Sequence, residues 1–257
     1  MRALGWVYLS ALFLFIFAPI AASFIFSFNS DRFPTLPLGS FTTDWYVRAF
    51  SRPEVWQAIA NSLIVAGVTA VISTFIGFAT AYTDFRYGFR FKTAYLALAL
   101  LPPTLPLVIM GLAMLAWLSQ LGISGTLTGI VIAHVVLATP FAMAICRLRL
   151  SQMDPALEAA AWNLGSSQWG AMRHVILPFC APAIVSALCL TAAVSFDEFI
   201  VAWFVSGLNR TVPVMILEIL QGNVDPQINA IGTVVFVTSM TLVVAAQFLI
   251  FRKRQDD

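Results

Sequence analysis

The chain has 257 residues, 60% of them hydrophobic and 10% charged, with a formal net charge of +2. A soluble domain carries about 25% charged residues, so this composition excludes an ordinary soluble fold. Its long apolar runs with charges bunched between them describe a polytopic membrane protein.

A helical span needs about 20 mostly apolar residues. Six stretches qualify, at about 4–28, 55–83, 93–119, 126–147, 182–206 and 230–251. The first follows Arg2, and its "APIAAS" also mimics a signal peptide. The length of its apolar run, and the even span count it completes, favour a retained helix. Residues 29–54 follow, with "TTDWYVRAF", where Thr43 or Asp44 is placed to cap a short helix exposing Trp45, Tyr46 and Phe50. Such aromatics form an interfacial belt or face a solute entrance, and both readings stand. The third span holds Pro102, Pro103 and Pro106 and is expected to be kinked in its first half. His134, in "GIVIAHVVLATPF", is a lone histidine on an apolar helix, better suited to a helix–helix contact than to a proton relay. Glu218 and Asp225 come after the fifth span, where a solvated loop carboxylate is the default.

The basic residues orient the spans. Arg2, Arg86, Arg90, Lys92, Arg147, Arg149, Arg173, Arg252, Lys253 and Arg254 fall on one side, and Arg32, Arg48, Arg52 and Arg210 on the other. The positive-inside rule then places both termini in the cytoplasm. Cys146, Cys180 and Cys189 form no C-x-x-C pair and read as small apolar residues of the helices. There is no basic stripe for nucleic acid, no metal-ligand cluster, no nucleophile elbow and no G-x-x-x-x-G-K-[ST] phosphate loop, so ATP hydrolysis is not expected of this chain and it is not read as an enzyme.

The loop between spans four and five reads "MDPALEAAAWNLGSSQWGAMRHVILP". Asp154 before Pro155 is a strong helix start, and Glu158 in the opening turns complements the helix dipole. Gly165 suits a left-handed C-terminal cap. Ser166 or Ser167 then caps a second short helix, which Pro178 is expected to stop. Neither helix is long enough to stand alone in water. The segment is a small apolar knob rimmed by Glu158, Asn163 and Arg173, and it must pack on its own bundle or on another chain.

"AAVSFDEFIVAWF" places Asp197 and Glu198 side by side inside the fifth span. Asp197 lies about 13 Å from the outer end at 1.5 Å per residue. A central Asp costs roughly 2.5 to 3.5 kcal/mol in lipid, so neither acid is expected to face it. Thr191, Ser195 and Glu198 share one helical stripe, and Asp197 falls on the next with Val194 and Val201. Either these acids attract a cationic solute through a low-dielectric passage, or they serve structure, by pairing across helices or capping a break in one.

Glu158-Ala159-Ala160, then Gly165, then Ile176-Leu177-Pro178 resembles the EAA loop of ABC importer permeases of the binding-protein-dependent type I family. "NSLIVA" at 61–66, "SFDEFIVAWFVSG" and "DPQINAIGT" extend the resemblance over about 55–250, and it is most like the second permease subunits of spermidine/putrescine-type transporters. The resemblance implies an all-α membrane protein with six transmembrane helices of type I importer architecture and cytoplasmic coupling helices. Residues 1–54 would be a first helix and external loop, 55–251 the transmembrane domain with a coupling loop at about 150–178, and 252–257 a cytoplasmic tail. It further implies a bacterial inner-membrane subunit supplying half the pathway for a small solute, with no cofactor of its own. The implied partners are a second permease, two ATP-binding subunits holding ATP and Mg, and a periplasmic or extracellular substrate-binding protein. Glu158, Ala159, Ala160 and Gly165 would couple to the ATPase, while Asp197, Glu198, Ser195 and Trp45 would line the solute path. A polyamine or other cationic amine is the expected solute, although similar "FDE" segments occur in permeases for amino-acid derivatives and phosphonates. The other classes open to this sequence are a secondary transporter using Asp197 and Glu198 for ion coupling, and a scaffold subunit without a pathway.

Overall fold

A computed structural model describes the backbone of residues 2–33, 37–222 and 226–253, and no side chains of 2–4, 239 or 242–253. Among the described residues the chain is helical, and its only pairing of extended segments is an isolated bridge between Asn29 and Phe41. Helices α1 (Arg2–Phe26), α2 (Asp44–Phe50), α3 (Pro53–Arg86), α4 (Lys92–Leu100), α5 (Leu107–Gln120) and α6 (Leu127–Leu150) form the first half. The second half holds α7 (Ala156–Asn163), α8 (Gln168–Ala171), α9 (Leu177–Asp197), α10 (Ile200–Val205), α11 (Val212–Gly222) and α12 (Gln227–Lys253). Gly5–Phe26, Pro53–Arg86, Leu127–Leu150 and Gln168–Asp197 are each long and apolar enough to cross a membrane.

Two of the six expected spans are therefore interrupted. The third breaks where its prolines stand: α4 ends at Leu100, a tight 3-10 turn covers Pro102–Thr104, and α5 restarts at Leu107. The fifth differs from expectation at both ends. Pro178 does not stop the preceding helix. It sits in the first turn of α9, where its missing N–H is tolerated, directly after a π turn over Met172–Ile176 that takes up the local misfit. The same helix then ends early, at Asp197.

Two compact units divide the chain, one from Met1–Gln57 with Met215–Asp257, the other from Ala58–Val214. In the first, Ser23 of α1 donates to Asn229 Oδ1 of α12 at 3.3 Å. Here α2 forms as expected, but Thr43 makes no side-chain cap, and Thr42 Oγ1 accepts from the Asp44 N–H instead. Its aromatics are not laid open as expected. The Tyr46 hydroxyl bonds Ser27 Oγ at 2.7 Å and its ring lies on Phe28, while Phe50 packs against Trp56. Asp225 lies outside the described residues.

The second unit is built on α6. Thr126 caps it by accepting from the Gly129 N–H. One apolar cluster joins the first half of α6 (Ile130, Ala133, Leu137) to Met110 and Leu118 of α5 and Val201 and Val205 of α10. A second joins its later half (Ala142, Met143, Cys146) to Ala81 and Tyr82 of α3 and to Ile176, Cys180 and Ala187. Gly77 lets α3 approach α6 closely, since a Cβ there would meet Ala142 Cβ and Met143 N at 2.7 Å. Cys146 and Cys180 thus act as small core residues, and Cys189 is exposed.

Candidate functional site

A set of buried polar side chains interrupts this apolar packing: Thr69, Ser73 and Thr74 from α3, His134 from α6, and Thr191, Ser195 and Glu198 at the end of α9. Thr74 and Thr191 hydroxyls meet at 3.5 Å. Threonine and serine suit such positions because each hydroxyl can also return a bond to its own helix, as Thr191 does to the Ala187 carbonyl at 2.7 Å.

The break after Asp197 is made among these residues. Glu198 turns to extended backbone (φ −72°, ψ 123°), and its carboxylate reaches forward to the free N–H groups that open α10. Oε1 accepts from the Val201 N–H and Oε2 from the Ala202 N–H, each at 2.9 Å. The anion thus satisfies two of the donors that a helix start leaves unpaired and meets the positive end of that helix. His134 braces the corner from α6: its Nδ1 lies 2.8 Å from Ser195 Oγ and its Nε2 lies 3.4 Å from Glu198 Oε2. Glu198 is only 8% exposed and His134 1%.

Its neighbour points elsewhere. Asp197 is exposed and, among the described residues, makes no hydrogen bond or ion pair. The shared stripe of Thr191, Ser195 and Glu198 faces the bundle, as the spacing predicts, and Asp197 does not. His134 makes the interhelical contact expected of it. No arginine or lysine lies inside the expected spans except near their ends, and the structure sets that histidine beside Glu198 instead. Among the described residues there is no cluster of His, Cys, Asp and Glu able to hold a metal ion.

The second candidate region is the α7–α8 knob. Asp154 Oδ1 accepts from the Ala156 N–H at 2.9 Å, which starts α7 as read from Asp154-Pro155. Gly165 ends it at φ +84°, with the Gly165 N–H on the Trp162 carbonyl and the Ser166 N–H on the Ala161 carbonyl, the paired bonds of a Schellman cap. Ser167 caps α8 by accepting from the Gly170 N–H. One expectation fails here. Glu158 does not rim the outer surface but is 5% exposed, turned inward to Arg86 at the end of α3, with Arg86 Nε 3.1 Å from Glu158 Oε1. The Arg86 guanidinium also lies over the Trp162 ring, 4.8 Å from its centroid. What the knob presents outward is Ala159, Ala160 and the apolar tips Leu157, Leu164 (89% exposed) and Trp169 (71% exposed). Beside it, Asp84 is held by Arg147 Nε at 2.6 Å and Lys92 Nζ at 3.2 Å, tying the ends of α3, α4 and α6.

Trp45 belongs to the first unit. It is half-buried, its indole N–H donates to the Asn29 carbonyl at 2.7 Å, and Arg48 lies over its ring. Its polar edge is thus engaged in holding the loop to α2.

Sequence reasoning singled out the polar stripe and Gly165. It placed the two adjacent acids on different stripes, as the structure has them, but did not anticipate Arg86 as the partner of Glu158. A carboxylate three and four residues ahead of Val201 and Ala202, where an apolar run resumes, is the one local signal of the capped break.

Three comparisons bear on this arrangement. The family described as "Binding-protein-dependent transport system inner membrane component" matches residues 73–256. The spermidine/putrescine transport system permease protein PotC of Haemophilus influenzae is 32% identical over 247 residues, covering 96% of this chain and 95% of that protein. The putrescine transport system permease protein PotI of Escherichia coli is 31% identical, covering 87% and 82%. A chain from the crystal structure of a bacterial ABC transporter that imports the acidic polysaccharide alginate superposes with a TM-score of 0.78 at 16% identity, covering 98% of this chain and 95% of that one. At that identity the likeness speaks for the fold.

Proposed function

Because this chain belongs to the binding-protein-dependent transport system inner membrane components, we propose that it forms half of the membrane pathway for a cationic amine of the polyamine class. It is a permease subunit of an ABC importer, an inner-membrane component that leaves ATP hydrolysis to partner subunits. The assembly we infer adds a second permease, two ATP-binding subunits carrying ATP and Mg, and a periplasmic binding protein. Both termini lie in the cytoplasm, on the side of the α7–α8 knob, by the distribution of Arg and Lys.

The observation that carries the solute reading is the different fate of two adjacent acids. Glu198 is committed to the start of α10. Asp197, beside it, is left open at a broken helix in the middle of an apolar run. An uncompensated carboxylate there is costly unless it meets water, a cation or a neighbouring subunit, and a passing ammonium group gains far more from it than in bulk water. The names of the two polyamine relatives support the same class. Ser195 and Glu198 serve this site by fixing the break; Trp45, in the other unit, is read separately as an aromatic surface of the outer loop met by the solute.

The α7–α8 knob is the docking element. Its exposed face, from Leu157 to Gly165, is apolar and rigidly capped at both ends, which suits insertion into a cleft of an ATP-binding subunit. Closure of those subunits around ATP would move the knob as a body and alternate access to the path.

The test is reconstitution of the four-component transporter in proteoliposomes with radiolabelled putrescine, spermidine and a neutral sugar as probes. ATP-driven uptake of an amine, lowered at least tenfold by Asp197→Asn while the subunits remain assembled, is the expected result. Uptake of the sugar alone, or amine uptake indifferent to Asp197→Asn, would overturn the solute assignment.

A further inference from the structure

We propose that the groove between the cytoplasmic ends of α3, α4 and α6 holds an anionic glycerophospholipid, with its phosphate on Arg147 and one acyl chain along the apolar wall. The inference rests on the orientation read from the Arg and Lys residues, which sets these helix ends in the inner leaflet.

The groove has a volume of about 430 Å³. Phe85 from the last turn of α3, Leu100 at the end of α4, and Met143, Ala144 and Leu148 from α6 make its apolar wall. Leu100 and Leu148 are exposed, so the wall is open along one side. The rest of the lining is polar, and all of it stands at the ends of α3 and α6: Asp84, Arg147 and Ser151. From Lys92, the first residue of α4, to Leu100 the helix rises about 12 Å at 1.5 Å per residue. Half of a hydrocarbon core is about 15 Å. The groove therefore runs from headgroup depth through most of one leaflet, charged at its mouth and apolar beyond.

The mouth is positive. Asp84 is shared by Arg147 and Lys92, two cations to one anion. Arg147 uses only its Nε on Asp84, and among the described residues that is its one hydrogen bond. Its side chain is half-exposed. The two terminal amino groups of the guanidinium are left for a phosphate, which they fit as a planar fork. Asp84 aims that fork by holding the Nε edge. Ser151 gives its own proton to the Leu148 carbonyl and so offers only an acceptor, which suits a hydroxyl of a glycerol headgroup. Basic pockets between membrane helices on the cytoplasmic side take anionic headgroups. A free phosphate would make no use of the apolar wall.

The experiment places the assembled transporter in phosphatidylcholine nanodiscs with a trace of photoreactive lipid, either phosphatidylglycerol or phosphatidylcholine, carrying a diazirine near the end of one acyl chain. Adducts are mapped by peptide mass spectrometry after illumination. The phosphatidylglycerol probe is expected to label the peptides that hold Leu100 and Met143 at least fivefold more than the phosphatidylcholine probe. Unlabelled phosphatidylglycerol should compete, and inorganic phosphate should not. Arg147→Gln is expected to lower the labelling at least fivefold. Ala144→Phe, which fills the groove and leaves the ion pairs alone, should do the same, and it guards against an Arg147 variant that fails to fold. Equal labelling by the two probes reduces the groove to ordinary annular contact and overturns the site, as does labelling indifferent to Ala144→Phe. Competition by inorganic phosphate assigns the mouth to a free anion and overturns the lipid. A photoreactive residue at Leu148 that captures the second permease in place of lipid makes the groove a subunit interface, and overturns it too. The side of the membrane is read separately, with an impermeant maleimide on Ser151→Cys in sealed vesicles of both orientations. Reaction from the inner side is expected. Reaction from the outer side alone overturns the orientation and the inner-leaflet assignment with it, whereas inner-side reaction without lipid labelling sinks the lipid site alone.

Discussion

Replacing Glu198 by alanine removes the acceptor for two buried N–H groups, those of Val201 and Ala202, each bonded at 2.9 Å. A buried donor left without a partner costs about 1–3 kcal/mol, and loss of a helix cap alone costs about 1 kcal/mol. Taking the lower half of that range for two donors, because first-turn amides can shift toward one another's carbonyls, Glu198→Ala should destabilise the unit by about 2–4 kcal/mol. For a chain of this size 1 kcal/mol moves the melting temperature by about 2–4 °C, so the expected fall is about 5–15 °C. Asp197→Ala removes an exposed group with no partner among the described residues and should stay within about 0.5 kcal/mol of the parent. The measurement is thermal unfolding of the purified chain in detergent micelles, followed by tryptophan fluorescence. Equal melting of Glu198→Ala and the parent, or an equal loss in both variants, would refute the division of roles between the two acids.

Two further outcomes are expected. Gly77→Ala should lower the melting temperature, because the added methyl meets Ala142 Cβ and the Met143 backbone N at 2.7 Å and overpacking costs about 1–3 kcal/mol; Gly67→Ala, on the same helix with nothing within 4 Å, should be neutral or raise it slightly. Gly165→Val places a β-branched residue at φ +84° and should distort the end of α7 at a cost of about 2 kcal/mol. Its effect is read as loss of co-purifying ATP-binding subunit with unchanged membrane insertion, and a fully retained ATP-binding subunit would count against docking through this turn.

The parts of the fold legible in the sequence are those decided within a few residues. Pro102, Pro103 and Pro106 break the third span wherever they are buried, because the missing N–H groups travel with the residues. Asp154 and Gly165 bracket α7 for equally local reasons. The break after Asp197 was only one of the readings open to the two acids, since "SFDEFIVAWF" is apolar enough to continue as a helix. What ends that helix is a carboxylate preferring the amides ahead of it and a histidine supplied by another helix. Glu158 was misjudged in the same way. Its place in the opening turns of α7 is a sequence property, whereas its inward orientation depends on Arg86, which only the packing of α3 brings near. Pro178 shows the converse: a local rule was overridden because a π turn placed the proline where its lack of a donor is harmless.

The buried hydroxyls of Thr69, Ser73, Thr74 and Thr191 have a mechanical meaning. Interlocked leucines and methionines resist sliding, since any shift opens a void on one side and a clash on the other. Rotatable hydroxyls do not: each can swivel to the next acceptor as its neighbour passes. These hydroxyl positions are therefore where side chains can exchange partners without opening a void, while α3 and α6, which run unbroken through both apolar clusters, keep the two clusters in register.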